Sequence, residues 1–256
     1  MPHSTWVPHS TFATRSDMDL TPQPTNDHLT LSYVAYTASP RPGYAFKLLN
    51  KYTQCSDCRR NGVHFYGADG SYRVIDKHGN PSSALCYKPD PRRGTIVPQW
   101  IWQPELSGGV KRHIQDGNLL WPIHFKRQNG VVGFNMSSAL SAGGFFDIVG
   151  ANTPAPMGEL ATTKLSLQWP GYHHDTRQVE IRDGDRSPIT MSKLAERVVR
   201  FVRRYIQNAS AKENIQGQWR IGPGAIGEEH IYIIGLMHVS RGVWQIMLQL
   251  DGLVYL

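Results

Sequence analysis

Cysteine is scarce in this chain of 256 residues, which contains only Cys55, Cys58 and Cys86. An odd and low count argues against a disulfide framework and favours a reducing compartment. The first residues also lack the basic start and the apolar run of a secretory signal. We therefore expect an intracellular protein, cytoplasmic or nuclear.

Long apolar runs and the signatures of common enzymes are missing as well. No segment reaches the roughly 18 uninterrupted apolar residues of a membrane span. The chain has no Gly-x-Ser-x-Gly, no phosphate-binding loop motif, no His-Glu-x-x-His and no dinucleotide-binding glycine fingerprint. Its 40% apolar and 18% charged residues are typical of a globular chain. We expect a soluble binding or assembly protein rather than an enzyme.

Acidic residues are fewer than basic ones, which gives a net charge of +7. Residues 1–128 hold 15 Lys and Arg against 9 Asp and Glu, whereas residues 129–256 hold 12 against 11. The first half contains four basic pairs: Arg59-Arg60, Arg92-Arg93, Lys111-Arg112 and Lys126-Arg127. This imbalance favours an anionic partner, nucleic acid or another polyanion, but it is also typical of an ordinary solvated surface.

Turn residues and composition divide the chain into three parts. Residues 1–28 are polar and aperiodic, which predicts a flexible arm. Residues 29–150 predict a basic half rich in strands and hairpins, with VHFY and SYRVID as strands and Asn129-Gly130 as a turn. ANTPAPMG (151–158) predicts a linker before an α+β half at 159–256. One continuous domain is the alternative.

The second half has the clearest periodicity. Strands are predicted at 163–169, 177–183 and 217–222, and a hairpin is predicted across Ser240-Arg241-Gly242. In the second strand of that hairpin, Gln245 and Gln249 are expected to be exposed. Thr190 is a natural cap for an amphipathic helix at about 191–207. The fold class predicted is α+β, with this helix packed on a mainly antiparallel sheet.

Three segments of the second half resemble known sequences. WPGY (169–172), PITMSKLAERV (188–198) and IYIIGLMHVSRGVWQ (231–245) are together similar to uncharacterised proteins of mushroom-forming fungi. Because those proteins have no known activity, the resemblance implies no function.

Cys55-x-x-Cys58 is the spacing of half a zinc site. Zinc would need two more ligands, which Cys86 could supply together with His64 or His78. The sequence thus predicts either a zinc-stabilised region or a pair of reduced thiols near a turn.

A second candidate site is the segment His173-His174-Asp175 after Pro170-Gly171. Two imidazoles and a carboxylate could bind a metal or serve as a general base and its orienting partner. Residues that could complete such a site are His230, His238, Glu228 and Glu229. Metal-assisted hydrolysis is therefore the alternative function, and a polar surface loop is the simpler interpretation.

The third candidate lies on the predicted helix. Opposite the apolar residues, Lys193, Arg197, Arg200 and Arg204 form a stripe at spacings of three and four, with Glu196 as the single acid. Such a stripe fits a phosphate backbone, or is the solvated side of the helix. Aromatic residues near the basic pairs could stack on bases or fill the core: Trp100, Trp102, Trp121 and Phe125. A protein partner or a homo-oligomer remains open.

Overall fold

The structure is a computed structural model. It describes residues 63–66, 71–75, 81–84, 93–97, 99, 102, 120, 122–141, 145, 147–214 and 217–250. For the three strands before residue 85 it describes the backbone alone. The expected arm at 1–28 lies outside these residues.

Two sheets are present in the described part of the chain. The first contains β1 (Val63–Tyr66), β2 (Ser71–Ile75) and β3 (Pro81–Ala84), paired antiparallel in that order. This confirms the strands predicted in VHFY and SYRVID. The second sheet has six strands: β4 (Ile123–His124), β5 (Phe134–Asn135), β6 (Thr162–Leu167), β7 (Asp175–Glu180), β8 (Ile231–Ser240) and β9 (Val243–Leu250).

The β8–β9 hairpin forms the centre of the second sheet. Its spatial order is β4-β8-β9-β6-β7, and β5 also pairs with β8. Every residue of β8 and β9 is buried, as expected for strands at the centre of a sheet. The chain reverses at Gly242, whose φ of 88° is the left-handed conformation that glycine adopts without strain.

The second sheet is mixed rather than wholly antiparallel. Most of its pairings are antiparallel, as expected. β6 and β9 run parallel, with Leu165 opposite Trp244, while the other pairs are antiparallel. The long helix connects β7 to β8, and a crossover of that length allows β9 to return beside β6 in the parallel sense. The fold class is α+β.

The second face of β9 is covered, contrary to the exposure expected for Gln245 and Gln249. Both glutamines are buried, and Gly94, Gln99 and Trp102 supply their partners. The Oε1 of Gln245 accepts from the Trp102 N–H at 3.0 Å, and the Nε2 of Gln249 donates to the Gly94 carbonyl at 3.0 Å. Gln99 in turn donates to the Ile246 carbonyl at 2.8 Å. Burial is tolerated because these amides are hydrogen-bonded.

Two helices are described, α1 (Met136–Ser141) and the long α2 (Met191–Ser210). The N-cap of α2 is Thr190, whose Oγ1 accepts from the Lys193 N–H at 3.3 Å, as predicted. The helix ends at Ser210, beyond the predicted residue 207, because Ala209 is buried and continues the apolar face for another turn.

The main core lies between α2 and the sheet and is shared by the described residues of both halves of the chain. Val97 and Phe125 belong to the same buried cluster as Leu165 and Val198. The predicted linker is packed as well: Ala151, Ala155 and Met157 are buried, and the Ala155 N–H donates to the Ile189 carbonyl at 2.8 Å. The predicted strand at 217–222 is wrong, since Gly217–Trp219 is a 3₁₀ turn that buries Trp219.

Candidate functional site: the basic face of helix α2

The polar side of α2 carries its charge on exposed residues. The helix contains five basic residues against one acid, which leaves a net charge of +4. Four of the basic side chains are exposed and define what we call the basic face: Lys193, Arg200, Arg203 and Arg204. The opposite side holds ten buried residues, so the backbone that carries the face is anchored to the core.

Glu196 is the centre of the charge network on this face. Its carboxylate accepts from Lys193 Nζ at 2.8 Å and also pairs with Arg200. The hydrogen bond from Lys193, helped by the charge of Arg200, lowers the pKa of Glu196, so the carboxylate is ionised at neutral pH. Exposed pairs of this kind contribute only about 0–1 kcal/mol, so an incoming anion can compete for both cations.

The remaining two cations of the face differ in their surroundings. Arg203 Nε lies 3.1 Å from Glu228 Oε1, which connects α2 to the 3₁₀ turn Glu228–His230. Arg204 has no ion pair within the described part of the chain. The guanidinium of Arg204 is therefore the most readily available to an anion.

Arg197 does not share this surface with the rest of the predicted stripe. Its side chain is half-buried, and its Nη1 is buried without a hydrogen-bond acceptor among the described residues. It lines a groove of about 840 Å³, which we call the arginine groove, between α2 and the open end of the β6–β7 hairpin. The lining comprises Glu159, Ala161, Thr162, Glu180, Arg182, Asp183, Gly184, Arg186 and Arg197.

The loop after β7 forms one wall of the arginine groove. Asp183 Oδ1 accepts the N–H groups of Asp185 at 3.0 Å and Ser187 at 2.8 Å, which fixes the loop. Arg186 sits at its tip with φ of 61°, a left-handed conformation that is uncommon for residues other than glycine. Arg182 donates from Nη2 to the Gly158 carbonyl at 2.8 Å. No sequence motif signalled this groove.

Some residues of the basic pairs in the first half form contacts within the protein. The guanidinium of Arg93 lies 3.7 Å from the centre of the Tyr232 ring and donates to the Val132 carbonyl at 2.9 Å. Arg127 forms an ion pair with Asp147, while Lys126 is exposed. The other predicted basic residues, Arg59, Arg60, Arg92, Lys111 and Arg112, lie outside the described part of the chain.

Among the four aromatic residues considered for base stacking, Phe125 is a core residue. It is fully buried and its ring lies 5.5 Å from that of Phe134. Trp102 is half-buried, and Trp100 and Trp121 lie outside the described residues. Phe125 is therefore inaccessible to a base.

The His173–Asp175 segment precedes and begins β7. His174 Nε2 lies 3.0 Å from Ser166 Oγ and 2.7 Å from Thr176 Oγ1. A hydroxyl beside an imidazole is a nucleophile–base arrangement, but Ser166 is fully buried and a substrate cannot reach it. The backbone carbonyl of His173 accepts from the Tyr205 hydroxyl at 3.2 Å. This loop is thus bound into the fold by its backbone and by His174.

The other histidines proposed for this site lie elsewhere and have structural partners. His238 is stacked on Trp244 at 4.4 Å and accepts from the Leu120 N–H at 2.7 Å through Nδ1. Burial lowers its pKa to about 4, so the ring is neutral at neutral pH. His230 Nδ1 accepts from the Gly227 N–H at 3.0 Å.

Metal ligands do not converge in the part of the chain that the structure describes. No group of three or more His, Cys, Asp or Glu side chains there could hold an ion, and this covers the His173–Asp175 segment. The predicted zinc ligands Cys55, Cys58 and Cys86, and the alternative His78, lie outside the described residues, and of His64 only the backbone is described.

Two further results bear on the function. No described helix is both long and apolar enough to cross a membrane. Comparison with protein-family models, with curated proteins and with solved structures found no match.

Proposed function

We propose that this protein is a binding protein for nucleic acid or another polyanion, and that the basic face of α2 contacts the phosphate backbone. The observation that carries the proposal is the exposure of Lys193, Arg200, Arg203 and Arg204 on a helix whose opposite side is anchored in the core. An anchored helix presents its cations with little loss of backbone entropy on binding.

The dimensions of the face suit several phosphates at once. Lys193 and Arg204 are eleven positions apart, which is about 16 Å along a helix with a rise of 1.5 Å per residue. Duplex DNA carries one phosphate per 3.4 Å of axis on each strand. Because no base-reading motif is present, recognition is expected to depend weakly on sequence.

The direct test replaces Lys193, Arg200 and Arg204 together by Gln. Binding to duplex and single-stranded oligonucleotides is measured across a salt titration, where each phosphate contact contributes about 0.9 to the slope of log K against log salt on duplex DNA. We expect weaker binding at low salt and a slope reduced by roughly 2 to 3.

A matched control removes the same charge from another surface, with Lys126, Lys164 and Arg241 replaced by Gln, all exposed and outside α2. The control variant should keep most of the slope. Equal losses in the two variants would contradict the role of the basic face and make the effect one of net charge. Binding no tighter than millimolar at low salt would contradict the proposal as a whole and favour a protein partner.

Removing the single acid should have the opposite effect. Glu196→Gln frees Lys193 and Arg200 and raises the net charge of α2 to +5. We expect oligonucleotide affinity at low salt to rise about 2- to 5-fold, because the two exposed ion pairs it breaks are weak. Asp147→Asn is the control: it makes the same charge change and frees Arg127 away from α2. An equal rise in both variants would make the effect one of net charge rather than of this face.

Metal-assisted hydrolysis through His173, His174 and Asp175 stays a prediction without support among the described residues, since no group there could hold an ion. A structural zinc site at Cys55, Cys58 and Cys86 also stays a prediction.

A further inference from the structure

We propose that the arginine groove binds a nucleotide, with the phosphate on Arg197 and Arg186 and an amino group of the base on the carboxylates. The ligand is a nucleoside monophosphate, free or at the 5′ end of a strand. This site is separate from the basic face, so either proposal can fail alone.

The contact with the phosphate follows from Arg197. Its Nη1 has lost contact with water and gains no acceptor among the described residues, while the rest of the side chain lines the groove. An oxyanion in the groove would form charge-assisted hydrogen bonds with the accessible part of this guanidinium. Arg186, in the loop after β7, also lines the groove and supplies a second guanidinium.

The contact with the base follows from the acids in the lining. Glu159, Glu180 and Asp183 balance the three arginines in number, so the groove as a whole is not a site for a bare anion. None of these acids forms an ion pair within the described residues, and Glu159 and Glu180 are exposed. Carboxylates accept hydrogen bonds from amino groups, which adenine and cytosine carry and uracil lacks.

The size of the groove agrees with this ligand. Sites for small molecules usually measure about 300–1,000 Å³, and the arginine groove measures about 840 Å³. The strained tip residue points to the same conclusion, because left-handed residues other than glycine concentrate at ligand sites. Among the described residues other than glycine, only Arg186 has such a conformation, with φ of 61°.

Calorimetric titration of the full chain with CMP, AMP, UMP and inorganic phosphate tests the proposal. CMP and AMP should bind at least about 3-fold more tightly than UMP, and all three more tightly than phosphate. A 5′-phosphorylated oligonucleotide compared with its unphosphorylated form shows whether a strand end or a free nucleotide is preferred. Equal binding of phosphate and the nucleotides would overturn the proposal, as would no binding at millimolar concentration.

Two variants locate the site. Arg197→Lys keeps the charge but loses the guanidinium fork, and Arg186→Gly removes the second guanidinium while placing glycine at a left-handed position. Each should weaken CMP binding about 10-fold. Lys193→Gln, on the same helix but outside the groove, should change it less than 2-fold. Since Arg186 is an exposed loop residue, unchanged CMP affinity in folded Arg186→Gly would overturn the proposal even if Arg197→Lys failed to fold.

Discussion

Val198→Asp should remove several kcal/mol from the free energy of unfolding, about 3 kcal/mol or more. Val198 is fully buried in the middle of α2, within the cluster that joins the helix to the sheet. A carboxylate at this position would lose its hydration without gaining a cation, because the basic face is on the other side of the helix. Chemical unfolding followed by circular dichroism measures the change.

A matched control introduces the same side chain on the same helix without burying it. Asn208 is exposed, so Asn208→Asp should change the free energy of unfolding by no more than about 1 kcal/mol. If Val198→Asp also stayed within about 1 kcal/mol of the parent in the free energy of unfolding, the helix would not be packed against the sheet at this residue.

The long helix could be predicted from the sequence because the residue pattern that specifies it lies within the helix and its N-cap. Apolar residues at spacings of three and four fixed the buried side, and the hydroxyl of Thr190 fixed the start. The end was predicted at about residue 207, three residues early. Only the burial of Ala209 in the folded protein shows that the helix continues to Ser210.

The second face of the sheet could not be predicted in the same way. Alternation along β9 shows that Gln245 and Gln249 share a face with each other, but not whether another segment covers that face. The cover comes from residues around Gly94 and Gln99, about 150 positions earlier in the chain. The parallel pairing of β6 with β9 is equally non-local, since hydrophobic patterns do not specify the direction of a neighbouring strand.

The candidate surface was predicted only in part, for a similar reason. Helical spacing placed Lys193 and Arg200 on either side of Glu196, at separations where ion pairs form. Arg197 belongs to the same stripe by spacing, yet it turns toward the arginine groove because the β6–β7 hairpin lies beside it. No sequence pattern indicated Arg186, because its place in the lining of the arginine groove depends on the conformation of the loop after β7.

The second large effect is expected at the contact between β4 and β8. Gly235 lies opposite His124, at an irregularity in the pairing of β8 with β9. A Cβ added to Gly235 would overlap the carbonyl oxygen of Ile123 and lie 3.0 Å from the Cα of His124. These are backbone atoms of a neighbouring strand, so Gly235→Ala should force β4 away from β8 and cost about 1–3 kcal/mol or more.

Gly184→Ala separates this steric effect from the general effect of replacing glycine. A Cβ on Gly184 meets nothing within 4 Å, and its φ is not left-handed. Replacing glycine there restricts the unfolded chain and should raise stability by up to about 1 kcal/mol. The same entropic gain acts at Gly235, so a net loss of stability in Gly235→Ala means that the clash outweighs this gain. If unfolding measurements showed both variants equally stable, β4 would not approach β8 as closely as the pairing of His124 with Gly235 requires.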